Sequence, residues 1–275
     1  MLVDAQVHVW EAHSEARPWP VDARHTAHRR VPPDCGEVLA LLDAASVSRA
    51  VLVPPSWAGD RNDVALAVAR AHPDRFAVMG RIALDDPGQA ARLPGWRATP
   101  GMLGIRVTLH HEPLRSAFSD GTTEWFWAAA GAVGLPVMVY PPGLVRELGR
   151  IAERHPGLRL VVDHLAAPVG STGMEAYAEL PELLTLARLP NTAVKATAQP
   201  CHSRQSYPFA DIHGPLQQVV DAFGPHRVFW GSDYTRLPCS YEESLRFVAA
   251  ALTGLADEDL DLVLGDALLR WLDWP

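Results

Sequence analysis

The sequence predicts an α/β protein folded as a single (β/α)8 barrel with a C-terminal closing helix. Three observations predict it. Eight short β-rich runs alternate with longer stretches of helical period, the pattern of a parallel sheet with helical crossovers. The runs are almost continuously apolar, as in strands covered by helices. The 275 residues suit eight βα units and one closing helix, so residues 1–275 are expected to form one domain.

The expected strands are Val3–Trp10, Ala50–Pro54, Phe76–Ile82, Gly104–Thr108, Val137–Tyr140, Leu158–Asp163, Thr192–Lys195 and Val228–Gly231. Each is rich in Val, Ile, Leu or aromatic residues and is bounded by Pro, Gly, Asn or Asp. Between them the apolar spacing predicts helices over Glu37–Ala45, Asp63–Ala71, Glu124–Val133, Leu144–Glu153, Tyr177–Ala187, Ile212–Phe223 and Tyr241–Ala251. Asp85–Leu93 reads as a short helix, and Glu258–Leu272 closes the chain.

Composition narrows the function. The hydrophobic fraction is 48%, the mean hydropathy −0.01, the net charge −8 and the pI near 5.8. An acidic chain argues against nucleic acid or an anionic membrane as partner. No apolar run approaches the ~18 residues of a membrane span. Three scattered cysteines (Cys35, Cys201, Cys239) make neither a disulfide framework nor a zinc finger. With no secretory leader pattern at the start, the expected location is the reducing cytoplasm. A homo-oligomer is compatible with this composition. The chain also lacks the G-x-G-x-x-G fingerprint, the P-loop and the G-x-S-x-G elbow.

In a barrel, chemistry sits at the carboxyl ends of the strands. Strand 1 alternates, with Val3, Ala5, Val7 and Val9 on one face and Asp4, Gln6 and His8 on the other, so Gln6 and His8 are expected to point inward. Later strands carry Arg106, Tyr140, Asp163-His164, Lys195 and Asp233 at or near their carboxyl ends. Asp163 reads as an Asx cap facing away from His164. Lys195 reads either as a functional cation or as half of a buried ion pair. His110 and His111 read as loop surface, as do His25, His28, His72, His155 and His226.

The ordered set Asp4-Ala-Gln-Val-His8, Gly-Ile-Arg106, Val-Val-Asp-His164-Leu-Ala-Ala-Pro, Val-Lys195, Phe-Trp-Gly-Ser-Asp233-Tyr and Gly-Asp-Ala-Leu-Leu-Arg-Trp-Leu spans nearly the whole chain. It resembles the amidohydrolase superfamily, in its amidohydrolase-related branch of small TIM-barrel hydrolases. The resemblance implies a metal set of two strand 1 histidines, one histidine each on strands 5 and 6, and the strand 8 aspartate. Here Gln6 and Tyr140 stand at two of those positions, leaving His8, His164 and Asp233. Tyr on strand 5 is similar to the metal-independent pyrone-dicarboxylate lactonase group, alongside fuconolactonase-type hydrolases. That similarity implies Asp233 as general base, His8 and His164 as helpers, and Arg106 holding a substrate carboxylate. Arg204, on the loop after strand 7, is a second candidate arginine.

The expected function is therefore hydrolysis of a lactone bearing a carboxylate, with no cofactor required. Asp233, His164 and His8 are the catalytic candidates. Arg106, Tyr140, Gln6, Lys195 and Arg204 are the candidates for substrate binding. His110 and His202 add to the case for a small anionic, cyclic substrate, and Trp10, Trp57, Tyr207 and Tyr234 are candidate walls for a planar ring. Two other readings stand beside it. One is a hydrolase or decarboxylase holding Zn²⁺ or Mn²⁺ on His8, His164 and Asp233. The other is a barrel repurposed as a lyase, isomerase or binding protein, which the loss of histidine at Gln6 motivates.

Overall fold

A computed structural model describes residues 1–20 and 27–275. His25 lies outside the described residues. Eight parallel strands form one sheet in chain order: β1 (Val3–Val7), β2 (Arg49–Leu52), β3 (Phe76–Gly80), β4 (Met102–Thr108), β5 (Pro136–Tyr140), β6 (Arg159–Val162), β7 (Thr192–Thr197) and β8 (Val228–Gly231). The sheet curls into a (β/α)8 barrel. Around it lie α1 (Cys35–Ala44), α2 (Asp63–Ala71), α3 (Leu114–Ser119), α4 (Glu124–Ala132), α5 (Val145–Arg154), α6 (Leu180–Thr185), α7 (His213–Phe223) and α8 (Tyr241–Ala251). α9 (Asp257–Asp261) and α10 (Ala267–Leu272) follow.

Neighbouring residues of a strand go to opposite cores, as strand geometry requires. Val162, Val194 and Trp230 join the layer under the helices with Leu148, Leu216 and Phe247. Val161, Ala193 and Phe229 join an inner cluster with Met79, Met138 and, from α10, Leu268 and Leu272. Both faces of each strand are thus dry, which explains the continuous apolar runs.

β1 departs from the expected alternation. Its register against β2 shifts between Asp4 and Val7. Val3 and Ala5 belong to the inner cluster, whereas Val7 and Val9 belong to the outer one. The shift lets Asp4 leave toward α8 while Gln6 and His8 come inward. Strand pairing stops at Val7, three residues short of the expected end.

Asp4 then latches the last strand to the first. Its carboxylate, fully buried, accepts from the Ser232 amide (2.9 Å), the Ser232 hydroxyl (2.5 Å), the Tyr241 hydroxyl (2.8 Å) and the Gln6 amide (2.9 Å). Burial pushes its pKa up to about 6 against those four donors. Asp233 N–H also donates to the Gln6 carbonyl at 2.9 Å. A Cβ on Gly231 would stand 2.5 Å from Thr197 Cγ2 and 2.9 Å from the Ala5 nitrogen, so only glycine fits this seam.

The helix boundaries differ in a few places. α2 and α8 match the expectation, and Ser240 starts α8 with a reciprocal capping box to Glu243. The expected closing helix is broken by a wide turn at Leu262–Asp266, where a Cβ on Gly265 would strike the Met1 carbonyl at 2.2 Å. The segment after β3 is a run of tight 3-10 turns over Pro87–Ala98, interrupted by Pro94. The expected helix Tyr177–Ala187 shrinks to α6 between tight turns, and α3 is an additional helix. Among the described residues no helix is long and apolar enough to cross a membrane.

Candidate active site

The carboxyl ends of β1, β4, β6, β7 and β8 bring the predicted polar residues together on the barrel axis. Lys195 is fully buried and sits at the centre. Its Nζ donates to Gln6 Oε1 at 2.6 Å and lies 2.9 Å from Asp163 Oδ1. Arg106 Nε donates to the other Asp163 oxygen at 2.9 Å. Burial works against ionising Asp163, but the Lys195 and Arg106 charges overcome it and hold its pKa below the usual value. Burial draws the Lys195 ammonium down, against the pull of Asp163. Asp163 is therefore no Asx cap. It faces inward and balances two cations that the barrel could not otherwise bury. Lys195 is thus one half of a buried ion pair.

His8 and Asp233 occupy the mouth and are 3% and 1% exposed. His8 Nδ1 is 2.6 Å from the Val53 carbonyl, and its Nε2 is 3.3 Å from Gln6 Nε2 and 3.0 Å from Asp233 Oδ1. The last contact is not aligned as a hydrogen bond, and Asp233 Oδ1 has no hydrogen-bond partner among the described residues. Asp233 Oδ2 lies 3.4 Å from Arg236 and 3.9 Å from His164 Nε2. Burial opposes the Asp233 charge, yet His8, Arg236 and His164 hold its pKa well below the usual carboxylate value. His164 Nδ1 is anchored on the Thr197 hydroxyl at 2.6 Å, and burial keeps this imidazole neutral, far below its ordinary pKa.

Both residues stand on constrained backbone. Asp233 has φ 49°, and His164 opens a run of three left-handed residues with Leu165 and Ala166. Each such non-glycine residue costs about 1–3 kcal/mol and persists only where its surroundings hold it. Here the strand ends and the buried hydrogen bonds do so.

Two predicted residues make contacts away from the Asp233 carboxylate. The Tyr140 hydroxyl donates to the Ala167 carbonyl (3.0 Å) and accepts from the Val169 amide (2.9 Å). It therefore pins the loop after β6, and only its ring edge reaches His164, at 5.2 Å between centroids. Arg204 is largely exposed and bonds Thr172 and Glu175, with no hydrogen bond to the Asp233 cluster.

Other residues enter the site unannounced. His28, expected on the surface, is half-buried with its ring 5.5 Å from that of His8 and 4.4 Å from Trp57. Its Nδ1 lies 2.8 Å from the Thr235 hydroxyl, and burial drops its pKa to about 3. His110 is also half-buried beside Tyr140, with its pKa drawn to about 3 by burial and by His111 and nearby arginines. Arg81 follows β3 and donates to the Thr108 hydroxyl at 3.1 Å; burial and Arg106 lower it to about 10. His202 is buried with Nδ1 on the Ser171 carbonyl. Trp57 and Trp10 stack edge to face at 5.3 Å against this mouth, whereas Tyr207 is 40% exposed.

One nitrogen each from His8 and His28 and one oxygen of Asp233 lie within 4.8 Å of one another. Two imidazoles and a carboxylate are a donor set that zinc or manganese accepts. The set differs from the expected trio, because His28 stands in it and His164 faces the other oxygen of Asp233.

A parallel barrel with buried histidine, lysine, arginine and aspartate at its strand ends has the architecture of a barrel enzyme. The chain belongs to the amidohydrolase family, whose model matches residues 3–273, and it is a hydrolase. It is 27% identical over 235 residues to an L-fucono-1,5-lactonase of Burkholderia ambifaria, covering 84% of this chain and 79% of that one. Among solved structures, an amidohydrolase from Burkholderia multivorans with bound zinc superposes with a TM-score of 0.82 at 23% identity, covering 100% of both chains. A probable 2-pyrone-4,6-dicarboxylic acid hydrolase from Acinetobacter baumannii, with citric acid bound, gives 0.77 at 18% identity and 99% of both chains.

Proposed function

We propose that this protein opens a small lactone bearing a carboxylate, with Asp233 as general base. The observation that carries the reading is the Asp233 carboxylate. It is buried at the barrel mouth, ionised, and has one oxygen without a hydrogen bond. A water molecule beside it would attack the ring carbonyl while Asp233 takes a water proton. The ring C–O bond then breaks, and the proton passes to the departing alkoxide, giving a hydroxy acid. General base catalysis of this kind supplies ~10²–10⁴-fold. His164 flanks the carboxylate with its Nε2 and is the group placed to steady the developing oxyanion, a role worth roughly 3–4 kcal/mol for a donor.

Arg106 supports the anionic part of the substrate. It is only 6% exposed and spends one nitrogen on Asp163, which leaves its fork for a carboxylate. The relative that acts on L-fucono-1,5-lactone and the pyrone dicarboxylate hydrolase both favour a lactone ring. Each step uses a group of the chain itself. We place the protein in the cytoplasm as one domain, a setting consistent with its three free cysteines.

The experiment is a lactone panel, including L-fucono-1,5-lactone and 2-pyrone-4,6-dicarboxylate, read by acid release. Hydrolysis of at least one lactone well above the buffer rate is expected. No hydrolysis of any member would overturn the reading.

A further inference from the structure

We propose that Thr197, the last residue of β7, is a positioning residue: its hydroxyl donates to His164 Nδ1 and so fixes the imidazole hydrogen on Nε2, the nitrogen on the Asp233 side. Hydrogen-bond accounting behind the ring leads there. Thr197 is fully buried, and among the described residues its hydroxyl has one hydrogen-bond partner, His164 Nδ1 at 2.6 Å. The same nitrogen lies 3.4 Å from the Thr197 carbonyl, so two groups of one residue compete for it. A carbonyl only accepts and would draw the hydrogen onto Nδ1, whereas a hydroxyl can donate or accept.

Gln199 decides between the two. Its Nε2 donates to the Thr197 carbonyl at 3.0 Å, which turns Oε1 toward Tyr177, whose hydroxyl donates to it at 2.8 Å. Burial pushes the Tyr177 phenol up in pKa and keeps it a donor. The carbonyl is thus engaged at ordinary length, and 3.4 Å is long for a second bond from His164. A hydrogen on Nδ1 would force the Thr197 hydroxyl to accept and leave its own O–H buried without an acceptor, which buried polar groups avoid. With the hydroxyl donating, every hydrogen behind the ring has an acceptor. Nδ1 then spends its lone pair on Thr197, and the neutral ring keeps its one hydrogen on Nε2. Asp233 Oδ2, 3.9 Å away, is too far to take that hydrogen. Tyr140, edge to face with the imidazole at 5.2 Å, and the left-handed backbone of His164 hold the ring in this pose. An N–H aimed in advance is what a developing oxyanion requires. The catalytic use of this hydrogen rests on the lactonase reading above, whereas its place on Nε2 does not.

The test labels the histidines of the full-length protein with ¹⁵N and reads the ring nitrogens by long-range proton–nitrogen correlation, with His164→Gln identifying the His164 signals. The parent is expected to show a protonated Nε2 and a bare Nδ1 at His164. Thr197→Ser keeps the hydroxyl and should match the parent. Thr197→Val keeps the shape and removes the donor, which leaves the backbone carbonyl beside Nδ1, so the Nδ1–H form should appear. On the best lactone of the panel, kcat should fall ~10²–10³-fold in Thr197→Val, the worth of one oxyanion donor, with KM within a few-fold. Thr197→Ser should restore it. A hydroxyl that only filled space would leave the tautomer unmoved. A parental His164 protonated on Nδ1 would overturn the proposal, and that result needs no variant to fold. An unmoved tautomer or a parental kcat in Thr197→Val would overturn it as well. If no lactone is opened, the lactonase reading fails, and the spectra still decide where Thr197 places the hydrogen.

Discussion

His8 Nε2 and Asp233 Oδ1 face each other at 3.0 Å across the seam where the last strand meets the first. The two residues are separated by almost the full length of the chain, and the barrel alone makes them neighbours. Their burial removes the water that would otherwise weaken every charge in the site.

Asp233→Asn keeps the size of the side chain and removes its basicity. Lactone hydrolysis should fall by ~10²–10⁴-fold in kcat/KM, the span of general base catalysis. Initial-rate kinetics on the best lactone of the panel measure it. Retention of parental activity would remove Asp233 from the chemical step.

Arg106→Gln should act on binding. A charged hydrogen bond to a carboxylate contributes about 1.5–3 kcal/mol, so KM for a carboxylated lactone should rise ~10–100-fold while kcat changes little. A neutral lactone should show no comparable shift. Parallel Michaelis–Menten curves on the two substrates make the comparison.

Asp163→Asn tests the ion-pair floor. Removing it leaves Lys195 and Arg106 buried without a counter-charge, which costs about 3–5 kcal/mol. The effect depends on pH in a definite direction. The folded Asp163 pKa is depressed, so its contribution is intact above the unfolded value of ~3.9 and is lost as pH falls toward the folded value. Urea melts should show a wide gap between the two proteins at neutral pH, narrowing below about pH 4.

Tyr140→Phe separates structure from chemistry. The hydroxyl holds the Ala167 carbonyl and the Val169 amide, so its loss should cost about 1–3 kcal/mol in unfolding experiments. Turnover should stay within a few-fold of the parent. A loss of several hundred-fold in kcat would return the hydroxyl to the reaction.

The strands were legible because burial on both faces leaves a run of apolar residues wherever a strand passes. His164 and Asp233 were legible because each follows such a run, Arg106 and Lys195 because each is a charge inside one. By the same rule Arg81, which follows the Met-Gly end of β3, carried a readable signal that the sequence reading passed over. His28 carried none. It lies in a loop without periodicity, and only packing against Trp57 and Thr235 draws it to the mouth. Asp4 and Asp163 were misplaced for different reasons. Alternation along β1 holds until a register shift, and the shift between Asp4 and Val7 depends on a partner strand rather than on β1 itself. Asp163 keeps the alternation of Val161 and Val162, and the left-handed His164 after it breaks the pattern.

The Asp4 latch also bears on how the chain acquires its shape. Its partners Ser232 and Tyr241 lie 228 and 237 positions away, so this carboxylate stays unmatched until nearly the whole chain has collapsed around it. Contacts of such separation must bear the loop entropy before they return any stabilisation, and they slow folding. Barrel closure at this seam is therefore a late event in folding. Amide exchange during refolding should protect the β4–β6 region before Gln6 and Ser232, whose amides both rest on Asp4.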